Sequence, residues 1–294
     1  MGVSRGGGGQ RAIFGYGYTS TAVSITNLVS NTGVVSTNTT GVGTARNALA
    51  AANYGTDKAL FGYGINISGI GVSLTNLVSN TGVVSTDTTG VGSARYQLAA
   101  AGYGTDKAIF GYGNLGTISS LTNLVSNTGV VSTNTTGVGS ARQDLAAAGY
   151  GTDKAIFGYG YASAGNTAVT NLVSNTGVVS SDTAGVGTVR YSLAASGYGG
   201  DKAIFGYGYT GSVSSITNLV SNTGVVSTDT TGVGTARYGL AAANYGTDKA
   251  IFGYGYGGGN LSMTNLVSNS GVVSADTTGV GTARYQLAAS SYGS

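Results

Sequence analysis

The chain repeats one sequence unit six times, and this repetition constrains its fold more than any other feature. The phrase Phe-Gly-Tyr-Gly begins at six positions that are 47 to 49 residues apart: Phe14, Phe61, Phe110, Phe157, Phe205 and Phe252. Each copy is followed by Thr-Asn-Leu-Val-Ser and then by one arginine: Arg46, Arg95, Arg142, Arg190, Arg237 and Arg284. Repeats of this length are typical of architectures in which each unit buries its apolar face against the next.

Each unit contains four short apolar or β-branched segments separated by turn residues. In the third copy these segments are residues 96–103, 107–113, 120–126 and 130–133. Asn127-Thr128-Gly129 is a good hairpin turn, because its glycine adopts positive φ without steric cost. Short strands with a turn every eight to twelve residues are typical of all-β proteins. The sequence therefore predicts four antiparallel strands per unit.

One unit is divided between the two ends of the chain. The first copy starts at Arg11 with its second strand, and the missing first strand follows Arg284. A ring explains this division, since the C-terminal strand completes the first blade and removes the exposed sheet edges. We therefore expect residues 11–294 to form a six-bladed β-propeller, preceded by a flexible glycine-rich arm over residues 1–10.

The repeats resemble a known family. Residues 237–255, which read Arg-Tyr-Gly-Leu-Ala-Ala-Ala-Asn-Tyr-Gly-Thr-Asp-Lys-Ala-Ile-Phe-Gly-Tyr-Gly, are similar to the kelch repeat, in which an arginine precedes the first strand and the apolar second strand ends in glycines. Gly-Tyr-Gly replaces the kelch Gly-Gly doublet, and the late tryptophan is absent. The resemblance implies a kelch-like six-bladed propeller. The amino-acid sequence of the repeats also resembles that of repeat proteins in bacteriophage virions.

The six copies differ mainly in two places, which are the loop between the second and third strands and the residue pair after each arginine. Both lie at the same end of a four-stranded blade, so we expect them to meet on one face. Tyrosine with Ser, Gly and Asn is typical of adaptable binding loops, although solvent-exposed loops also vary without function. The candidate binding residues are Tyr18, Tyr96, Tyr161, Tyr191, Tyr209, Tyr238, Tyr256, Tyr285, Asn114, Asn166 and Asn260.

The six repeated arginines allow two interpretations. They could form a cationic ring for an anionic glycan or phosphate. Alternatively, each could pack between blades and donate hydrogen bonds to loop carbonyls. Their presence in every repeat favours the structural role, because one binding site seldom needs six equivalents.

The residue types that are missing exclude several classes of enzyme. The chain has no Cys, His or Glu, so catalytic triads and cysteine- or histidine-based metal sites cannot form. Asp144 is the one acid outside the repeated positions. We therefore expect no catalytic residues, no metal and no cofactor. Glycoside hydrolysis requires only a pair of carboxylates, which aspartates could supply, so a polysaccharide-degrading enzyme remains an alternative.

Charge and hydropathy narrow the choice of partners. Only 8% of residues are charged and the net charge is +3, which argues against binding to nucleic acid. No apolar stretch is long enough to insert into a membrane, and we expect no signal peptide.

The sequence favours a non-catalytic structural or recognition module, a phage capsid or tail surface protein that is assembled in the host cytoplasm and later exposed. Its partners would be other virion or assembly proteins or a host surface glycan. A lectin-like propeller remains an alternative, whereas an engineered repeat scaffold would fit the near-identical strands but not six unrelated loops.

Overall fold

A computed structural model describes residues 10–293, and all its regular secondary structure is β-strand. The first half of the chain contains β1 (Arg11–Gly15), β2 (Thr26–Val29), β3 (Arg46–Asn47), β4 (Ala50–Tyr54), β5 (Lys58–Gly62), β6 (Ile65–Asn66), β7 (Thr75–Val78), β8 (Ala99–Tyr103), β9 (Lys107–Gly111), β10 (Thr122–Val125) and β11 (Arg142–Gln143). The second half contains β12 (Ala146–Tyr150), β13 (Lys154–Gly158), β14 (Tyr161–Ala162), β15 (Gly165–Asn166), β16 (Thr170–Val173), β17 (Ala194–Tyr198), β18 (Lys202–Tyr209), β19 (Val213–Val220), β20 (Ala241–Tyr245), β21 (Lys249–Tyr256), β22 (Asn260–Val267) and β23 (Ala288–Tyr292).

These strands form six antiparallel sheets of three strands, and each sheet uses the same three segments of one repeat. Numbered from the N-terminus, sheets 1 to 6 are β23-β1-β2, β4-β5-β7, β8-β9-β10, β12-β13-β16, β17-β18-β19 and β20-β21-β22. The remaining short strands make two small additional pairings, β3 with β6 and β11 with β14 and β15.

The prediction of four strands per repeat is wrong. In the first repeat, the expected fourth strand makes only two isolated bridges to β2, at Val35 and Thr39. Between these bridges, the Ser36 amide donates to the Leu28 carbonyl at 2.8 Å, and side chains make the other contacts: the Asn27 side chain donates to the Ser36 carbonyl at 3.0 Å and the Ser36 hydroxyl accepts from the Leu28 amide at 3.1 Å. Hydroxyl and amide side chains compete with backbone pairing in this way, which explains why Ser and Thr interrupt the strand.

The expected loops between the second and third strands are partly strand. In sheets 5 and 6, β18 with β19 and β21 with β22 continue into this region as long hairpins. The register shifts between Gly206 and Gly208 in sheet 5, and the same shift occurs in sheet 6. A bulge at this position keeps both strands paired and changes the direction of the end of the hairpin.

The core lies between consecutive sheets. In the first strand of sheets 2 to 6, side chains alternate between buried and partly exposed, because successive residues point to opposite faces. Each phenylalanine of a Phe-Gly-Tyr-Gly phrase contacts the tyrosine of the preceding sheet, as Phe110 does Tyr63, with ring centroids 5.0 Å apart. The same contact joins Phe14 to Tyr254, so sheet 1 packs on sheet 6 as every other sheet packs on its neighbour.

The C-terminal strand completes the first sheet, as the divided repeat predicts. β23 pairs with β1 from Arg11 opposite Tyr292 to Gly15 opposite Ala288. The first strands β4, β8, β12, β17, β20 and β23 contact one another in an unbroken cycle.

The predicted N-terminal arm lies almost wholly outside the described residues. Its last member, Gln10, is buried, donates to the Ser291 hydroxyl at 3.1 Å and accepts from the Asn244 side chain at 2.8 Å. Within residues 10–293, no helix is long and apolar enough to cross a membrane.

Candidate functional site: the variable face

The structure brings the two variable regions of each repeat together, and we call the surface they form the variable face. It comprises the residue pair after each arginine and the segment that connects the second and third strands. Tyr96 and Asn114, which represent the two regions in sheet 3, exchange backbone hydrogen bonds of 3.0 and 2.8 Å. Tyr191 pairs in the same way with Tyr209. The variable residues are therefore positioned by β-pairing, which makes the surface more rigid than free loops would be.

A ring of backbone hydrogen bonds lies at the centre of the variable face. The second residue after each arginine donates its amide to the carbonyl of the equivalent residue in the preceding repeat, at 2.6 to 2.9 Å. The members, in order, are Ala48, Gln97, Asp144, Ser192, Gly239 and Gln286, and the ring closes from Ala48 back to Gln286. All six have φ between 51° and 62°, and five of them are not glycine. The ring therefore arranges the backbone of these residues around one central line, which we call the axis of the molecule.

Seven of the eight predicted tyrosines form one continuous arc on this face. Neighbouring ring centroids are 5.5 to 5.9 Å apart in tilted or edge-to-face contacts. The order along the arc is Tyr161, Tyr191, Tyr209, Tyr238, Tyr256, Tyr285 and Tyr18. Such pairs contribute about 0.5–1.5 kcal/mol beyond area burial, so each ring restricts the orientation of the next. Burial raises the pKa of Tyr191, Tyr238 and Tyr285 above the ordinary value of a phenol.

Amide side chains occupy the part of the variable face that the arc does not cover. Asn114 donates to the Gln143 side chain at 2.5 Å, and Gln97 donates to the Asp144 carboxylate at 2.7 Å. Asn47 donates to Gln286 at 2.7 Å across the junction between the two ends of the chain. The face is thus divided into an aromatic part and an amide part.

The four predicted residues that remain are distributed around the arc. Tyr96 lies outside it and pairs with Asn114 instead. Asn166 pairs with Tyr161 in the short β14–β15 hairpin, and Asn260 pairs with Tyr256. The Asn260 side chain also donates to the Thr19 carbonyl at 2.8 Å, which ties sheet 6 to sheet 1.

Asp144 has the most perturbed acidity on the variable face. Burial raises the pKa of its carboxyl group to about 6, against the lowering effect of hydrogen bonds from Ser192, Gln97 and Gln143. The sequence draws attention to Asp144 as the one acid outside the repeated positions, but not to its place at the axis. That place follows from the closed hydrogen-bond ring, which sequence comparison of the repeats cannot reveal.

Replacing Asp144 with asparagine is expected to stabilise the protein at pH 7. A carboxyl whose pKa is raised in the folded state contributes full stability below its unfolded pKa of about 4 and loses it as the pH rises through about 6. Ionised Asp144 therefore costs about 1–3 kcal/mol at pH 7. Urea unfolding at pH 4 and pH 7 should show that the gain from Asp144→Asn exists mainly at pH 7, and asparagine tolerates the φ of 52° at this position.

Asp153→Asn serves as the control for this measurement. The hydrogen bond from Lys154 lowers the pKa of Asp153, so this substitution should lose stability at pH 7 instead of gaining it. An equal gain from both variants would show that the effect of Asp144 comes from net charge and not from its position on the axis.

The six repeated arginines are fully buried between sheets. Each guanidinium lies 4.3 to 4.5 Å above a tyrosine ring of the preceding sheet. In sheet 5, Arg190 donates from Nη2 to the Asn218 side chain at 2.6 Å and from Nε to the Tyr207 carbonyl at 2.9 Å. Guanidinium groups placed in this way donate hydrogen bonds to acceptors inside the protein and do not face the solvent. This is the arrangement that the structural interpretation requires.

Four of the repeated aspartates connect consecutive repeats. Asp229 accepts from the Thr188 amide and hydroxyl at 3.0 and 2.6 Å and from the Asn218 side chain at 2.9 Å. Asp87, Asp182 and Asp276 make the same contacts in their own repeats. In sheets 1 and 3, Asn38 and Asn134 occupy this position, and their side-chain oxygens accept from the amides of Thr282 and Ser93. These side chains therefore link two consecutive repeats.

No group of three or more His, Cys, Asp or Glu side chains that could bind a metal ion occurs within residues 10–293. The chain matches no model of a known protein family, and a search of curated proteins finds no significantly similar sequence.

Proposed function

We propose that the six sheets are the blades of a closed, kelch-like β-propeller and that this propeller is a non-catalytic recognition module that binds a partner protein through its variable face. The cyclic contacts of the first strands and the pairing of β23 with β1 support the propeller. Three strands and a bridged segment, in place of four strands, would then make up each blade.

The tyrosine arc is the observation that carries the proposal. Seven candidate residues that are far apart in sequence lie side by side on one surface. Tyrosine supplies a large contact area and a hydrogen bond at low entropic cost, and it is enriched at the energetic centres of protein interfaces. Because β-pairing holds the tyrosines in place, little ordering is needed when a partner binds.

A virion is the proposed setting for this partner. The resemblance to repeat proteins of bacteriophage virions and the low content of charged residues favour a capsid or tail component. The partner would then be another virion or assembly protein. A host surface glycan is the competing partner, and the amide side chains beside the arc are the groups that a lectin would use.

Site-specific photo-crosslinking tests the proposal. A benzophenone amino acid at Tyr238 should crosslink the chain to one partner protein in particles or assembly intermediates from the natural source. The same group at Thr152 is the control, because this residue is in the turn between β12 and β13 at the opposite end of the strands. It should not crosslink to the partner. Crosslinking from Thr152 alone, or binding of the isolated chain to a glycan array with no protein partner, would contradict it.

Substitutions taken from other repeats refine this test without disturbing the fold. The first residue after the arginine is Tyr238 in one repeat, Gln143 in another and Asn47 in a third. We expect Tyr238→Gln with Tyr285→Asn to weaken partner binding by at least about tenfold, because the double substitution removes two aromatic residues of the arc. Tyr96→Gln, outside the arc, should change binding by less than about twofold. Equal losses in both variants would exclude the arc as the contact surface.

A further inference from the structure

A cavity lies at the end of the axis opposite the variable face, and we propose that it binds a small oxyanion such as a phosphate or sulfate group. The cavity has a volume of about 170 Å³ and is open to solvent. Its wall comes from the first strands and from the turns between the first and second strands, which are nearly constant among the repeats. It is therefore separate from the variable face.

The cavity exists because one position of the first strand differs between repeats. This position faces the axis and is occupied by Asn53, Gly102, Gly149, Gly197, Asn244 and Ser291. On one side of the axis, Gln10 fills the space and joins Asn244 to Ser291. On the other side three consecutive repeats carry glycine. The Asn53 side chain fills the space beside Gly102, whereas the space beside Gly149 and Gly197 is left open to the turns above it.

The charges in the wall favour an anion. Lys107, Lys154 and Lys202 line the cavity, and Asp201 is the carboxylate that lines it with them. Each lysine is paired with the aspartate that precedes it, at 2.8 to 3.5 Å. An ammonium group has three donors, so one such contact leaves two donors for a ligand.

Hydroxyl groups complete the proposed site. Thr105, Thr152 and Thr247 come from the turns of sheets 3, 4 and 6 and line the same cavity, whereas the turn of sheet 5 contributes Gly200. Both Thr105 and Thr152 are exposed, with φ near 70°, in turns closed by backbone hydrogen bonds of 2.7 Å from one repeat to the next. A rigid rim with several lysine and hydroxyl donors is suited to the oxygens of a tetrahedral anion.

The repeats supply matched variants for the test. Lys249 is paired with Asp248 at 3.0 Å just as Lys154 is paired with Asp153, but Lys249 does not line the cavity. Gly149→Asn introduces the residue that Asn53 and Asn244 already provide at this position. A Cβ atom at Gly149 would meet the Gly102 carbonyl at 3.3 Å and the Lys154 carbonyl at 3.6 Å, so only a small shift is required.

Isothermal titration of the full chain with inorganic pyrophosphate at low ionic strength tests the site. We expect one equivalent to bind, Lys154→Gln and Gly149→Asn each to weaken binding at least about fivefold, and Lys249→Gln to change it less than about twofold. Thermal unfolding checks that each variant is folded. If Lys154→Gln and Lys249→Gln weakened pyrophosphate binding equally, the binding would come from general charge attraction, and the proposal would be overturned. Binding of the uncharged polyol inositol in place of pyrophosphate, or no binding of either at millimolar concentration, would also overturn it.

Discussion

Replacing Arg190 with alanine is expected to lower the free energy of unfolding by about 3–5 kcal/mol. The side chain is fully buried and lies 4.3 Å from the centre of the Tyr159 ring. The substitution removes hydrogen bonds to Asn218, Tyr207 and Thr188, and it leaves these polar groups in a cavity between sheets 4 and 5. Buried polar groups without partners account for much of this cost.

Chemical denaturation followed by far-ultraviolet circular dichroism measures this loss. Lys202→Ala, which removes a cation that is 45% exposed from the same sheet, is the control and should cost less than about 1 kcal/mol. Among the described residues, the Nε atoms of Arg46 and Arg142 have no hydrogen-bond partner, so Arg142→Ala should cost less than Arg190→Ala. A loss from Arg190→Ala no larger than that from Lys202→Ala would show that the buried arginines do not hold neighbouring sheets together.

Removing residues 284–294 is expected to abolish the cooperative unfolding of the monomer. The deletion removes β23, which exposes the edge of β1 and breaks the packing of sheet 1 on sheets 2 and 6. It also removes Arg284, which donates to the Tyr16 carbonyl at 2.7 Å and to the Asn27 side chain at 2.8 Å. An unpaired strand edge next to an opened core promotes association between chains. Size-exclusion chromatography with light scattering should detect these oligomers.

Adding the missing strand as a separate peptide provides the decisive control. A peptide of residues 283–294 should restore a monomeric complex and its thermal transition, because it can repeat the pairing of β23 with β1. The same peptide with Arg284→Ala should restore less of this transition, since it lacks the buried guanidinium. If the shortened chain stays monomeric and unfolds at the original temperature, the C-terminal strand does not close the structure.

Much of the architecture could be predicted because the six repeats act as an internal alignment. The repeated Ile109 and Phe110 positions indicate the core, and the division of a repeat between Arg11 and Arg284 indicates how the ends meet. Comparison of the copies also identified the tyrosines that lie together in the arc. The fourth strand was predicted wrongly, because the alternation of Val, Ser and Thr is compatible both with a strand and with a segment held by side-chain hydrogen bonds.

What the repeats cannot reveal are the contacts made across the axis and between sheets. Asp144 lies beside Gln97, which is 47 positions away in the sequence. The open space at Gly149 and the full burial of Arg190 depend on how neighbouring sheets pack in the cycle.

The sequence by itself determined the all-β class, the number of repeats, the core positions and the pairing of the two ends, because these follow from strand and turn preferences repeated six times and from the division of one repeat between the ends. Only the tertiary structure decided which side chains meet. The variable face, the buried arginines and the axial cavity arise when six nearly identical sheets pack in a cycle. Such packing turns small differences between repeats into distinct local environments, and one substitution on the axis changes the space shared by all six strands.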